Sequence, residues 1–417
     1  MYKKSQFNVE IPTIGGLLIF NSYSGKVIKF TDIESILWLS DDYVNLSDVL
    51  SYLLENHFLI DSTVNEIDKL LEESRYISAE SNTSHFRILT TTCCNANCEY
   101  CYEKGVTPQT LSIHTADEIV SYITERSKDK KRITLTWFGG EPLLNVEIIT
   151  YIMLKLKEHN SNKHIITSMT TNGSLVDDKI VELAKSTWNL ERIQITFDGM
   201  EKRHDEIKNY NNKKYGFKQT ISNVHNLVNA GIHISLRINY STTNLQDVLP
   251  LIDYLYSEFK NSVSVYCAPI FSSELYNSTY DPSNLKIADT LIFEKLQKYN
   301  YISPKKVLKR RFKTCAFATY RDHLVIDPDG NLFKCCEAML HPDVSHVGNI
   351  WSKNLDEELI SSWCSLSLRD ECMLCPYVPL CLGGCKCASF NINTSKCFRY
   401  KNIIPEIIHM EYVKNHL

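Results

Sequence analysis

Three cysteines stand close together as Cys94-x3-Cys98-x2-Cys101. Thiolates at this spacing can each hold one iron of a four-iron cluster, which leaves the fourth iron open to bind something else. Taken alone, the triplet also reads as a zinc site or a buried group of thiols. Cys93 adjoins it, but the spacing does not need that residue. Further along lies Trp137-Phe138-Gly139-Gly140-Glu141-Pro142. Its two glycines let the backbone approach a ligand closely, and Glu141 offers a carboxylate. A third group runs Cys315-x14-Gly330-x4-Cys335, then Cys372-x2-Cys375-x5-Cys381-x3-Cys385, then Cys397. The Cys372 to Cys385 stretch alone also suits zinc.

The chain has 15 cysteines, and only Cys267 lies between Cys101 and Cys315. An odd, bunched set makes a poor disulfide framework, so these thiols are expected to hold metal in a reducing cytoplasm. The N-terminus lacks the apolar core of a secretory signal, and the sequence contains no membrane-length apolar stretch. Net charge is −4 with both signs mixed, so no basic stripe offers itself to nucleic acid.

The elements that must position these groups follow from periodicity. Short β-branched runs at 86–92, 132–138, 165–171, 192–198, 233–240 and 263–270 alternate with helical stretches. Thr115 to Glu118 reads as a capping box, and Gly231 as a helix stop. Strands alternating with helices imply a parallel sheet with right-handed crossovers, hence a partial or full barrel with its chemistry at the C-terminal strand ends. Both the cysteine triplet and the Gly-Gly-Glu-Pro turn fall there. Before it, residues 1–80 predict a hairpin across Asn21 to Lys26 and three short helices, a small α+β domain. After about residue 305 a hairpin turns at Asp327-Pro328-Asp329-Gly330, and the rest is loop-rich and in need of metal staples.

With the triplet and the glycine turn one βα unit apart, the chain resembles the radical S-adenosylmethionine (radical SAM) superfamily, over roughly residues 85 to 400. The resemblance implies an α/β fold: a partial TIM barrel, (β/α)6, behind a winged-helix-like N-terminal domain and ahead of a loop-rich iron–sulfur SPASM domain. The implied segments are 1–80, 85–305, 306–400 and a tail at 401–417. Cys94, Cys98 and Cys101 would bind a [4Fe–4S] cluster whose open iron chelates the methionine part of S-adenosylmethionine (SAM). Gly139, Gly140 and Glu141 would meet its amino group, and Tyr100 would lie near the adenine. Ser168, Asn172, Asp198 and Arg237 would complete the cofactor site.

The seven later cysteines resemble the SPASM pattern, which implies two auxiliary [4Fe–4S] clusters. Cys372, Cys375, Cys381 and Cys397 would ligate one, and Cys315, Cys335 and Cys385 the other. The fourth ligand of the second is open: Cys336, Cys364, Cys387, Cys267 or none, since the position where some members carry a further cysteine is Lys309.

The implied chemistry is reductive cleavage of SAM to a 5′-deoxyadenosyl radical that takes hydrogen from an unactivated C–H bond. Relatives of this branch mostly modify peptides, so the leading expectation is a thioether or carbon–carbon crosslink in a ribosomally made precursor peptide. Residues 1–80 would dock its leader, or would only cover the barrel. Flavodoxin or ferredoxin would donate electrons. The alternatives are a sulfatase-type protein maturase, a small-molecule dehydrogenase and, from another class, a non-catalytic iron–sulfur carrier or scaffold. Maturases of that type often place an aspartate base directly after the Gly-x4-Cys cysteine, where this chain has Cys336 and then Glu337. Glu337 and Tyr320 are the candidate catalytic bases.

Overall fold

The computed structural model describes all residues except 79, 80, 102, 242, 243, 271–281, 391–396 and 417. They form two compact units. One gathers Met1–Ala79, Ser303–Thr319 and Ser365–Leu417; the other gathers Glu80–Ile302 and Tyr320–Cys364.

In the first unit, β1 (Tyr2–Lys4) pairs antiparallel with a later strand, while β2 (Asn8–Thr13), β3 (Gly16–Asn21) and β4 (Lys26–Phe30) form a meander. The partner of β1 is β5 (Leu59–Asp61). The expected hairpin is β3–β4, and the three expected helices are Asp32–Leu39, Ser47–Glu55 and Glu66–Ser78. The first is fixed by a reciprocal cap: Thr31 Oγ1 accepts from the Glu34 amide at 3.3 Å, and Glu34 accepts from the Thr31 amide at 2.8 Å. Leu17, Ile19, Phe30, Trp38, Leu53 and Phe58 fill the core between sheet and helices.

A second apolar cluster explains why this unit takes chain from three places. Phe7, Ile67 and Leu70 pack against Cys372, Val378 and Leu382. The cysteine-rich stretch after 365 has too few apolar residues for a core of its own, and it borrows a wall from the N-terminal helices. The helix Ile404–His416 buries Ile404, Ile407 and Ile408, so the tail is a packed element of this unit. The linear stretch 306–400 is thus divided between the two units.

The second unit is built on β6 (Thr83–Thr91), β7 (Arg132–Gly139), β8 (His164–Thr171), β9 (Leu190–Phe197), β10 (His233–Tyr240) and β11 (Val263–Pro269). All six run parallel in the order β11-β10-β9-β8-β7-β6, which is a partial barrel. Alternate residues such as Phe86, Ile88, Leu135, Trp137, Ile193 and Leu236 share one core with Ile119, Ile123, Ile149 and Ile152 of the helices. Each such side chain contributes roughly 1.5–3 kcal/mol relative to exposure. The other set points inward and is largely polar: His85, Arg87, Thr136, Ser168, Gln194 and Arg237.

One expectation needs correction. The helix over Ile113–Arg126 begins a turn before the expected capping box, because Ser112 Oγ accepts from the Thr115 amide at 3.1 Å. The expected hairpin of β12 (His323–Ile326) and β13 (Asn331–Phe333) is present. β12 joins β6 in parallel, β13 pairs with β14 (His346–Asn349), and the sheet grows to nine strands. Among the described residues no helix is long and apolar enough to cross a membrane.

Candidate functional site

The cysteine triplet follows β6 at its C-terminal end, and the glycine turn follows β7 beside it. The turn lies directly on the chain entering the cysteine loop. Gly140 N donates to Thr91 O at 3.0 Å, and Glu141 N donates to Cys93 O at 2.9 Å. A Cβ on Gly139, whose φ is +121°, would sit 2.1 Å from Thr91 O. On Gly140 it would sit 2.3 Å from Cys93 O. Both partners are backbone, so neither can swing aside. Glu141 is fully buried, and its carboxylate accepts from Leu143 N at 3.1 Å, Thr171 Oγ1 at 2.7 Å and Asn172 N at 2.8 Å. Burial pushes its pKa up despite those three bonds. Glu141 therefore pins the end of β7 to the end of β8.

Across the strand ends lies a buried polar network. Tyr100 Oη donates to Asp198 Oδ1 at 2.8 Å, and Lys208 Nζ stands 3.2 Å from Asp198 Oδ2. Asn239 Nδ2 donates to Tyr100 Oη at 2.9 Å and Asp198 Oδ1 at 3.0 Å. Among the described residues Arg237 joins through Asn239, whose Oδ1 accepts from Arg237 Nε at 2.8 Å. Burial opposes charge on both members of the ion pair. Even so, Lys208 keeps the Asp198 carboxyl below its usual range, and Asp198 and Tyr100 hold the Lys208 ammonium well above its own. Sequence reading missed Lys208. It ends the helix Glu201–Lys208, whose sequence EKRHDEIK reads as a solvated face, yet its side chain is only 3% exposed.

The thiols are shielded. Burial pushes Cys94 up to about 12 and raises Cys98 and Cys101, so at neutral pH each sulfur keeps its proton unless a metal replaces it. Cys98 lies within electrostatic reach of Cys94 and Cys101, and Lys208 acts on all three. Cys94 Sγ accepts from Ala96 N at 3.4 Å and from Asn172 Nδ2 at 3.9 Å. Among the described residues no three His, Cys, Asp or Glu side chains converge to hold one metal ion. A cluster asks for something else, since each thiolate takes a different iron, and three neighbouring half-buried thiols beside a buried cation fit that demand.

The remaining candidates are placed as follows. Ser168 Oγ lies 2.9 Å from Thr136 Oγ1, inside the barrel and away from the strand ends. The Tyr320 ring packs 4.8 Å from His323, and its carbonyl accepts from Lys334 Nζ at 2.7 Å. Glu337 is exposed, whereas Cys336 beside it is buried and accepts from Arg87 Nη1 at 2.7 Å. Among the described contacts nothing ties Glu337 to the network around Asp198.

In the first unit, Cys372, Cys375, Cys381 and Cys397 line one small cavity of about 20 Å³ with Arg369 and Lys401. Lys401 Nζ donates to Cys397 Sγ at 3.4 Å and Arg369 Nη2 to Cys372 Sγ at 4.0 Å. Four thiols with two cationic donors suit an anionic metal–thiolate cluster. Of the other three expected ligands, Cys315 and Cys385 belong to the first unit and Cys335 to the second.

Comparison with known proteins agrees with this geometry. Residues 88–255 match the Radical SAM superfamily. The radical SAM cyclopropyl synthase TigE of Paramaledivibacter caminithermalis is 24% identical over 95% of this chain and 91% of its own length. The cysteine-type anaerobic sulfatase-maturating enzyme of Clostridium perfringens is 24% identical over 70% of this chain and 86% of its own. The fold resembles that of Streptococcus suis SuiB bound to its precursor peptide SuiA, with TM-score 0.54, 14% identity, and 96% and 99% of the two chains covered. Residues 88–255 are therefore a radical SAM domain, and the chain is a radical SAM enzyme related to peptide- and protein-modifying maturases.

Proposed function

We propose that this enzyme forms a thioether or carbon–carbon crosslink in a ribosomally made precursor peptide, within the cytoplasm. The observation that carries the radical chemistry is that three neighbouring half-buried thiols, the Glu141 turn and the Asp198–Lys208–Tyr100 network all lie at the C-terminal strand ends of one parallel sheet. When bound, the cluster supplies the electron that splits SAM into methionine and a 5′-deoxyadenosyl radical. The chain's own residues orient and seal. Gly139 and Gly140 expose backbone for the SAM amino group, Lys208 balances the buried Asp198 charge behind the site, and Tyr100 walls the nucleoside end. Asn239 and Arg237 extend the polar wall around the barrel.

Peptide specificity rests on two further features. Residues 1–80 are read as a small winged-helix-like domain whose strands would take a leader peptide as an added strand. The four-cysteine cavity suits one of two auxiliary SPASM clusters, with flavodoxin or ferredoxin as the electron source. Two results are expected. Replacing Cys372, Cys375, Cys381 and Cys397 with alanine lowers iron by about four per chain while SAM cleavage persists, as measured by iron and sulfide analysis. A precursor peptide deuterated at the reacting carbon loses one deuterium, which appears in 5′-deoxyadenosine, and one hydrogen, which leaves as a proton together with an electron equal to the one that SAM cleavage consumed. An unchanged peptide mass with deuterium-free 5′-deoxyadenosine rejects the peptide reading.

A further inference from the structure

We infer that Asn172 is a positioning residue that acts on the cluster through Cys94, its side-chain amide raising the cluster's reduction potential by an N–H···S contact. The inference rests on the reading of Cys94 as a cluster ligand. Asn172 follows β8 and is 8% exposed. One amide hydrogen of Nδ2 goes to Asn95 Oδ1 at 2.7 Å, and the other faces Cys94 Sγ at 3.9 Å. Its Oδ1 accepts from Ser174 N at 2.9 Å and Ser174 Oγ at 2.6 Å. Asn95 closes the ring by donating from Nδ2 to Ser174 Oγ at 2.9 Å.

This ring decides which way the amide points. Turning it over would bring Oδ1 against Asn95 Oδ1 and Cys94 Sγ, and would lose both donors from Ser174. A donor is therefore fixed toward the sulfur. The Asn172 backbone N–H is also committed, to Glu141, so both amide groups of this residue are spent inside the protein. That argues against a direct role on SAM. An N–H aimed at a ligating sulfur favours the more negative, reduced cluster, and hydrogen bonds to the sulfurs are among the terms that set such potentials. The four-cysteine cavity of the first unit uses charged donors, Lys401 and Arg369, where this site uses a neutral amide.

The test is an anaerobic redox titration followed by electron paramagnetic resonance, reading only the signal that changes when SAM is added. Asn172→Leu is expected to lower the reduced-to-oxidised ratio at a fixed potential about tenfold, a shift of about 59 mV to the negative for one electron. Asn172→Asp, which adds negative charge, should shift further the same way. Ser174→Ala leaves the thiol contacts in place and loosens only the clamp. It should give a smaller negative shift, and it carries the test if the Asn172 variants do not assemble. A merely structural amide would lower the amount of signal and leave its potential alone. An unchanged or more positive potential in the variants that assemble overturns the inference. Absence of any SAM-responsive signal in the unmodified protein would instead overturn the cluster assignment beneath it.

Discussion

Lys208→Met is expected to destabilise the barrel unit by about 3–5 kcal/mol, because it strands Asp198 as a buried charge without its counter-ion. Asp198 is wholly buried, and its remaining partners are neutral donors, Tyr100 and Asn239. They satisfy one oxygen and leave the charge. Combining Lys208→Met with Asp198→Asn removes both charges and should recover most of that loss, with a coupling energy of a few kcal/mol. Urea unfolding of the four proteins without iron measures this. A loss in the double variant equal to the sum of the two single losses would show that the pair is not coupled.

Gly140→Ala is expected to prevent assembly at the cysteine triplet while leaving the rest of the chain folded. The new Cβ would sit 2.3 Å from Cys93 O and 2.7 Å from Thr92 O. Neither can yield without moving the residue that leads into Cys94, and the Glu141 N–H bond to Cys93 would go with it. Overpacking of this kind costs about 1–3 kcal/mol, too little to unfold the unit but enough to misplace a loop. Iron should fall by about four per chain and SAM cleavage should vanish. Circular dichroism should match the unmodified protein. Full iron content in this variant would show that the turn and the loop are not in register as described.

How far the sequence could be read follows from how local each signal is. The six parallel strands of the barrel and the β3–β4 hairpin announce themselves by periodicity and turn residues, and each lies within a few residues of its expected span. The triplet and the glycine turn were legible because their residues are neighbours in sequence. Lys208 was not, since nothing local distinguishes a lysine that ends a polar helix from one that folds inward to meet Asp198. Asn172 was singled out as a cofactor-site candidate, but its contact with Asn95 was hidden in the same way, the two being 77 positions apart. The division of the stretch after residue 305 depends on two long-range events. These are the parallel pairing of β12 with β6 and the packing of Val378 and Leu382 on Phe7 and Ile67, neither of which leaves a periodic trace.

The most direct measurement is formation of 5′-deoxyadenosine by the anaerobically reconstituted, dithionite-reduced protein supplied with SAM. It is run beside the variant in which Cys94, Cys98 and Cys101 are all alanine. About twelve irons and 5′-deoxyadenosine from the unmodified protein are expected, against about eight irons and none of the product from the variant. Product from both proteins, or from neither, would contradict the assignment of these three thiols as the site of SAM cleavage.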